Sequence, residues 1–127
     1  KDERYRQFGC MAARLDDVLN YIPARLTALF MALVAYRPGL FRFIFRYCHQ
    51  HASPNSAQTE AVCAGALQVQ LAGDAYYFGK LYPKETIGDD VRPIEPEDIL
   101  RAGNLMDGTA LLTLLVFGLL KYCMILM

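Results

Sequence analysis

The amino-acid sequence predicts an all-α fold, a polytopic integral membrane bundle of helices of which this chain is a fragment. Of the 127 residues, 54% are hydrophobic, and they concentrate in long runs rather than in the apolar–polar alternation typical of half-buried strands. Lys and Arg together number 13, as do Asp and Glu, so no dominant basic face indicates nucleic-acid binding. We therefore expect a single membrane domain fragment over residues 1–127, with no nucleic acid among its partners.

Residues 109–127 predict the clearest membrane helix. The segment carries one charge, on Lys121, and lacks the polar stripe that a helix in a soluble core would show. About 20 apolar residues span the hydrocarbon core of a bilayer. Lys121 lies close enough to the end of the segment for its ammonium group to reach the membrane interface.

A second membrane helix is predicted over residues 21–36. Pro23 suits a first helical turn, and the Pro38-Gly39 pair suits a stop. The run is short for a span and contains Arg25, which must then face protein or lipid headgroups. For both predicted membrane helices, the alternative is a buried helix of a soluble protein.

Residues 39–51 predict an amphipathic helix that lies in the membrane interface. Arg42, Arg46 and His49 share one helical face, while apolar side chains occupy the others. Positive charge close to a short membrane exit is typical of the cytoplasmic side. This basic face would bind anionic lipid headgroups or, as the alternative, a phosphate group of a substrate.

Residues 54–71 predict an internal or re-entrant helix. Ala61 and Gly65 form a pair of small residues that allows close helix packing, whereas several glutamines make the segment too polar to face lipid. Glu60 stands out, because a carboxylate at membrane depth usually faces a partner or a cavity. The alternative is an acid that merely favours the dipole near the helix start. We expect one cavity to be shared by Asn55, Ser56, Glu60, Asp16, Asp17 and Arg25.

Residues 73–107 predict a polar loop with two chemically distinctive parts. The first is a glycine-bracketed aromatic turn, residues 73–79, whose ring faces suit a flat ligand. The second is the acidic pair Asp89 and Asp90, whose oxygens suit Mg²⁺. The alternatives are interfacial aromatic anchors for the first part and a solvated turn for the second.

The end of this loop is expected to carry a short amphipathic helix. Pro93 and Pro96 stiffen the approach to it, and residues 96–102 have a helical pattern. Gly103 and Asn104 then suit a helix end. The sequence thus predicts a break between this short helix and the apolar segment that follows.

Taken in order, four motifs resemble the adenosylcobinamide-phosphate synthase family of cobalamin biosynthesis, the CobD/CbiB family. They lie within residues 15–26, 53–67, 71–79 and 87–90, the last reading Ile-Gly-Asp-Asp. The resemblance covers most of the chain. The chain departs from the family pattern in the Ala-Gln-Thr at residues 57–59, where a Gly-Trp-Pro-like stretch is usual, and at Ala72, where the first glycine of a pair is usual.

The resemblance implies an amide-forming ligase, for which ATP and Mg²⁺ are the cofactors. Its reaction joins adenosylcobyric acid to aminopropanol or its phosphate, giving adenosylcobinamide or its phosphate. The chain would be the C-terminal part of a multi-pass protein of the inner membrane. Its partners would be the corrinoid and aminopropanol phosphate substrates, membrane lipid, and the missing N-terminal part of the same protein. The alternative is a non-catalytic membrane sensor or scaffold of the same fold.

The chemistry of that reaction suggests roles for residues at the matching positions. The attacking nitrogen needs a base, phosphate groups need cations or Mg²⁺ to offset their charge, and the corrin ring needs an apolar platform. Glu60 is the candidate base. We assign Glu60, Asp16 and Asp17 to catalysis, Asp89 and Asp90 to metal binding, and Arg25, Asn55, Ser56, Tyr76, Tyr77, Phe78, Lys80 and Lys84 to substrate binding.

Overall fold

A computed structural model describes residues 6–37, 39–48 and 55–127, and this part of the chain is mostly helical, as predicted. Its helices are α1 (Arg6–Leu19), α2 (Tyr21–Ala35), α3 (Leu40–Tyr47), α4 (Ser56–Leu67) and α5 (Glu97–Leu126). Between α4 and α5 lie the short strands β1 (Leu71–Ala72), β2 (Ala75–Tyr77), β3 (Lys80–Tyr82) and β4 (Thr86–Ile87). The all-α prediction is therefore confirmed for most of the described residues, and the short strands between α4 and α5 are a minor departure from it.

The central helix of the described residues is α4, which packs against α2, α3 and α5. Its small side chains, including Ala57, Ala61 and Ala64, have no exposed surface. A methyl group placed on Gly65 would lie 2.6 Å from Leu40 and 2.8 Å from Phe43, so α3 approaches the backbone of α4 directly. The small residues thus serve the close packing expected of them. This helix ends at Leu67, before the predicted residue 71, and residue 54 lies outside the described residues.

Two arginines cap the C-terminal end of α4. Nη1 of Arg37 donates hydrogen bonds to the carbonyl oxygens of Gly65 and Ala66, at 3.2 and 3.1 Å. Nη2 of Arg92 donates to the carbonyl oxygen of Leu67 at 2.8 Å. The last carbonyls of a helix lack partners within it and carry the negative end of the helix dipole, so cationic donors suit them.

An ion cluster around Asp98 fixes the start of α5. The Arg92 guanidinium makes a two-point contact with the Asp98 carboxylate, at 2.8 and 2.6 Å. The same carboxylate accepts hydrogen bonds from the backbone N–H of Glu95 at 2.9 Å and from Nη1 of Arg101 at 2.8 Å. These contacts, with Arg92 first, hold the pKa of Asp98 well below its usual range. Because Arg92 also caps α4, the cluster joins the end of α4 to the start of α5.

The segment between α4 and α5, which includes most of the predicted polar loop over residues 73–107, contains two nested strand pairs. β1 pairs with β4 and, between them, β2 pairs with β3, both antiparallel. Phe78 and Gly79 have φ of 50° and 75°, as in the two-residue turns that suit twisted hairpins. Strands of two or three residues are too short to show alternation, so the sequence pattern predicted a loop here and not the strands.

Helix α5 runs without a break for 30 residues, so the predicted helix end near Gly103 and Asn104 is wrong. A glycine inside a helix is destabilising by only about 1 kcal/mol relative to alanine, too little to stop a long apolar helix. Gly108 brings α5 close to α2, because a methyl group there would lie 2.7 Å from Val34. Edge-to-face rings of Phe30 and Phe117, 6.5 Å apart, extend this packing.

By length and composition, α5 could cross a membrane. Only 6% of its most apolar stretch is buried within the described structure. With 15 residues, α2 is too short to cross alone, but residues 9–19 of α1 and α2 together, across a bend of 45°, are also long and apolar enough. The described residues thus offer one candidate membrane span, or two if the bent pair is a single span.

Helix α3 is amphipathic, as predicted, over a shorter range. Leu40, Ile44 and Tyr47 are buried, whereas Phe45 and Arg46 are exposed. Residues 49–51 of the predicted 39–51 helix lie outside the described residues. The inner face of α3 packs on α4, so only the outer face is available to lipid or to a ligand.

The backbone at Ala72 leads to a first prediction, that Ala72→Gly stabilises the protein by about 0.5–1 kcal/mol. Ala72 is exposed and has a φ of 61°, a left-handed conformation in which a Cβ atom is strained and glycine is not. Thermal unfolding in detergent measures the change. Ala13→Gly, at an exposed position within α1, should instead destabilise by about 1 kcal/mol, and equal effects of the two substitutions would contradict the explanation.

The Asp98 cluster leads to a second prediction, on acid stability. The pKa of Asp98 is lowered in the folded state, so its ionisation contributes fully to stability above the unfolded-state value of about 3.9. That contribution is lost as the pH falls from about 5 through the unfolded-state value towards the folded one. Unfolding midpoints of wild type and Asp98→Asn should therefore differ most near neutral pH and converge below about pH 4. Asp107→Asn, at an exposed position on α5, should show no such convergence.

Candidate functional site

The acidic motif of residues 87–90 is held rigidly against α4. Ile87 has no exposed surface, and Gly88 adopts a φ of 102°. A methyl group on Gly88 would lie 2.7 Å from the carbonyl oxygen of Val69 and 2.9 Å from Cβ of Ala64. Only glycine fits this position. The close fit sets the position of the backbone at the next residue, Asp89, and so the point from which its side chain extends.

One oxygen of the Asp89 carboxylate is engaged by α3. The Tyr47 hydroxyl donates a hydrogen bond to Oδ1, and Nη1 of Arg46 lies 3.6 Å from the same oxygen. The hydrogen bond to Asp89, together with burial, raises the pKa of Tyr47. Within the described part of the chain, no hydrogen bond or ion pair reaches Oδ2 of Asp89. That oxygen remains available to a ligand.

Asp89 lines a cleft of about 270 Å³. The cleft lies where α3 meets α4 at Gly65, and Gly39 leaves one side open because it carries no side chain. Arg37 lines the same cleft, and in the described ranges no carboxylate pairs with it. The complete lining consists of Arg37, Gly39, Leu40, Phe43, Gly65, Gln68, Asp89 and Val91.

A second polar cluster joins α1, α2 and the start of α4. The Asn55 side chain, which is buried, donates to the backbone oxygen of Asp17 at 2.9 Å. Nη1 of Arg25 lies 3.5 Å from Oδ1 of Asn55, and the Arg25 guanidinium stacks 3.4 Å above the Tyr21 ring. The structure thus brings together Arg25, Asn55 and Asp17, three of the residues expected to share a cavity.

Beside this cluster lies a mostly apolar cavity of about 340 Å³, to which Arg25 contributes the cationic group. Asp16 is exposed and accepts a hydrogen bond from Asn20 at 2.8 Å. Ser56 and Glu60 are half-buried on α4. The assignment of Glu60 as a base stays a prediction.

The predicted aromatic and lysine residues lie on the exposed inner hairpin. Tyr76 and Phe78 are 74% and 104% exposed. Nζ of Lys84 donates to the Tyr77 hydroxyl at 2.9 Å, and Lys80 pairs with Tyr77 across the strands. Hydrogen bonds in the described residues do not connect this group to Asp89 or Arg25. The hairpin therefore forms a separate surface with accessible rings.

Metal binding at Asp89 and Asp90 stays a prediction. Across the described residues, no three His, Cys, Asp or Glu side chains are placed to hold a metal ion together. The guanidinium of Arg46 also brings positive charge to Asp89. These residues do not by themselves fit a resident Mg²⁺ ion, which would need other ligands such as substrate phosphates.

The sequence interpretation did not identify Tyr47 and Arg37 as site residues. Tyr47 lies 42 positions before Asp89, and no local pattern connects the two. Arg37 follows α2 and could have been recognised as a cation two residues before Gly39, the turn residue. Its position beside Asp89 depends on the packing of α3 against α4.

Comparison with known proteins gives consistent results. A family model described as "CobD/Cbib protein" matches residues 1–106. The chain is 43% identical over 121 residues to the cobalamin biosynthesis protein CobD of Clostridium perfringens, and 46% identical over 124 residues to that of Streptococcus sanguinis. It is 43% identical over 122 residues to the cobalamin biosynthesis protein CbiB of Salmonella arizonae.

These alignments cover 91%, 94% and 92% of this chain but only 38%, 39% and 38% of the respective relatives. The chain therefore spans about two fifths of the length of these relatives. No solved structure matches.

The fit of Gly88 leads to a third prediction, that Gly88→Ala destabilises the protein by about 2–4 kcal/mol. The added methyl group meets backbone and Ala64 below 3 Å, and the left-handed backbone adds strain. Gly118→Ala is the matched control, because nothing lies within 4 Å of a methyl group there and alanine favours a helix. Equal unfolding temperatures for Gly88→Ala and wild type would show that residues 87–90 are not held as described.

Proposed function

Because the chain belongs to the CobD/CbiB family, whose matching members are named for cobalamin biosynthesis, we propose that it forms part of an amide-forming ligase in that process. The proposed reaction is ATP-dependent. It joins a carboxylate of adenosylcobyric acid to the amine of aminopropanol or its phosphate, giving adenosylcobinamide or its phosphate. The complete protein would act as a multi-pass protein of the inner membrane.

The observation that carries the proposal is the placement of residues 87–90, a motif of the family resemblance, beside a cleft with charges of both signs. Amide formation from a carboxylic acid requires an activated acyl group, an amine that loses a proton, and cations that offset phosphate charge. Asp89 and Arg37 provide an anionic group and a cationic group in one cleft. A scaffold would not require one cleft to hold a carboxylate oxygen and guanidinium nitrogens that lack partners among the described residues.

The other assigned residues take supporting roles in the proposal. Arg25 and Asn55 would orient a phosphate or amide group at the cavity beside α2, and Glu60 would accept a proton. The exposed rings of Tyr76 and Phe78 would contact the corrin ring, with Lys80 and Lys84 nearby for its polar edge. Mg²⁺ would accompany ATP and offset its phosphate charge.

The apolar length of α5 supports a membrane location. Residues 109–127 would lie in the bilayer, where their exposed apolar side chains would contact lipid or further helices of the same protein. The exposed face of α3, with Phe45 and Arg46, would rest at the headgroups.

A fourth prediction tests the reaction in the complete protein reconstituted into lipid vesicles. With adenosylcobyric acid, aminopropanol phosphate and ATP, wild type should form the amide product, measured by mass spectrometry. Asp89→Asn should lower turnover by about two orders of magnitude, the scale for loss of a positioned charged group. Asp107→Asn, a carboxylate on the exposed side of α5, should retain wild-type turnover.

Two results would contradict the proposal. Absence of amide product from the folded wild-type protein would favour a non-catalytic scaffold. Normal turnover of Asp89→Asn, with product formed by wild type, would remove the residue 87–90 motif from the active site.

A further inference from the structure

We propose that the cleft between Arg37 and Asp89 binds the amine reactant as a zwitterion, with its ammonium group on Asp89 and its phosphate on Arg37. The inference rests on the proposed function for the identity of the reactant. The recognition chemistry follows from the cleft itself, which presents one anionic and one cationic side chain to the same small volume.

The Asp89 carboxylate is prepared for a cation that can donate hydrogen bonds. Its Oδ1 accepts a hydrogen bond from the Tyr47 hydroxyl, which restrains the carboxylate, and Nη1 of Arg46 lies 3.6 Å from that same oxygen. Oδ2 has no protein partner within the described ranges. An ammonium group forms strong charge-assisted hydrogen bonds with such an oxygen. Tyr47 is therefore a positioning residue.

Arg37 is prepared for an anion in a comparable way. Nη1 is held by the carbonyl oxygens of Gly65 and Ala66, so the guanidinium has a defined place at the end of α4. Its other nitrogens, Nη2 and Nε, make no hydrogen bond to the described residues. A guanidinium with free donors suits a phosphate oxygen pair.

The size of the cleft selects a small reactant. A volume of 270 Å³ equals that of about nine water molecules in the liquid. This space suits three carbons with one amine and one phosphate, and it is far too small for a corrin ring. Of the proposed reactants, aminopropanol phosphate alone carries both charges at this size.

The decisive experiment measures binding rather than turnover. Calorimetry measures the affinity of the complete protein, in detergent with EDTA present and without corrinoid, for one ligand at a time. The ligands are aminopropanol phosphate, aminopropanol, inorganic phosphate and ATP. Arg37→Gln should weaken the binding of both aminopropanol phosphate and inorganic phosphate by about 10- to 100-fold. Asp89→Asn should weaken the binding of aminopropanol phosphate to the same extent and leave the binding of inorganic phosphate unchanged.

The matched controls are Arg14→Gln and Asp107→Asn, exposed residues on α1 and α5 whose substitution should change neither affinity. Val91→Trp provides a steric test, because Val91 lines the cleft and a larger ring there fills it without altering Arg37 or Asp89. It should abolish binding of aminopropanol phosphate. This variant keeps the proposal testable even if the Arg37 variant folds poorly after losing its contacts to α4.

Four results would overturn the inference. The first two are unchanged binding of aminopropanol phosphate to Val91→Trp and loss of wild-type binding in EDTA, which would indicate a metal on Asp89. The third is tighter binding of ATP than of aminopropanol phosphate. The fourth is that Asp89→Asn weakens the binding of inorganic phosphate as much as that of aminopropanol phosphate. Amide formation by wild type together with any of these would separate the two proposals, since the reaction would stand and the cleft would not be its amine site. The expected binding pattern without amide formation would contradict the ligase alone.

Discussion

The hydrogen bonds at the C-terminal end of α4 determine how the rest of the described structure is arranged. Three successive carbonyls there accept hydrogen bonds from Arg37 and Arg92, which come from opposite directions along the chain. Arg37 ties the connection after α2 to α4. Arg92 carries Asp98 with it and so sets where α5 begins. The cleft, the strand pairs and the long helix all take their positions from this point.

Small residues make this arrangement possible. Gly65 admits α3 to the surface of α4, and Gly88 admits the residue 87–90 motif on another side. Where the backbones approach this closely, little space remains for side chains. Polar groups near these contacts therefore come from residues that surround the contact. Tyr47, Arg37 and Asp89 are such residues, which explains why the charged cleft lies beside the close approach at Gly65.

Helices α2 to α4 and the apolar part of α5 were predictable because apolar runs and small-residue pairs are local signals, whereas α1 was not predicted. Asp89 was selected from the motif that contains it, and its role stays a prediction. The strands were not predictable, since two or three residues carry no usable period, and neither was the continuity of α5 through Gly103, where a weak helix breaker is outweighed by the apolar run after it. The partners of Asp89 depend on contacts across 42 residues, which no local pattern encodes.

In the proposed membrane location, the unbroken length of α5 would make it a rigid extension above the bilayer as well as an anchor. With residues 109–127 in a bilayer, the preceding turns from Glu97 onward extend about 18 Å along the helix axis at 1.5 Å per residue. The Asp98 cluster lies at the end of that extension and is joined to α4 through Arg92, so a tilt of the helix in a membrane would move the end of α4 with it. Bilayer thickness would then be mechanically coupled to the geometry of the cleft, and lipid composition would act on a site that no lipid touches.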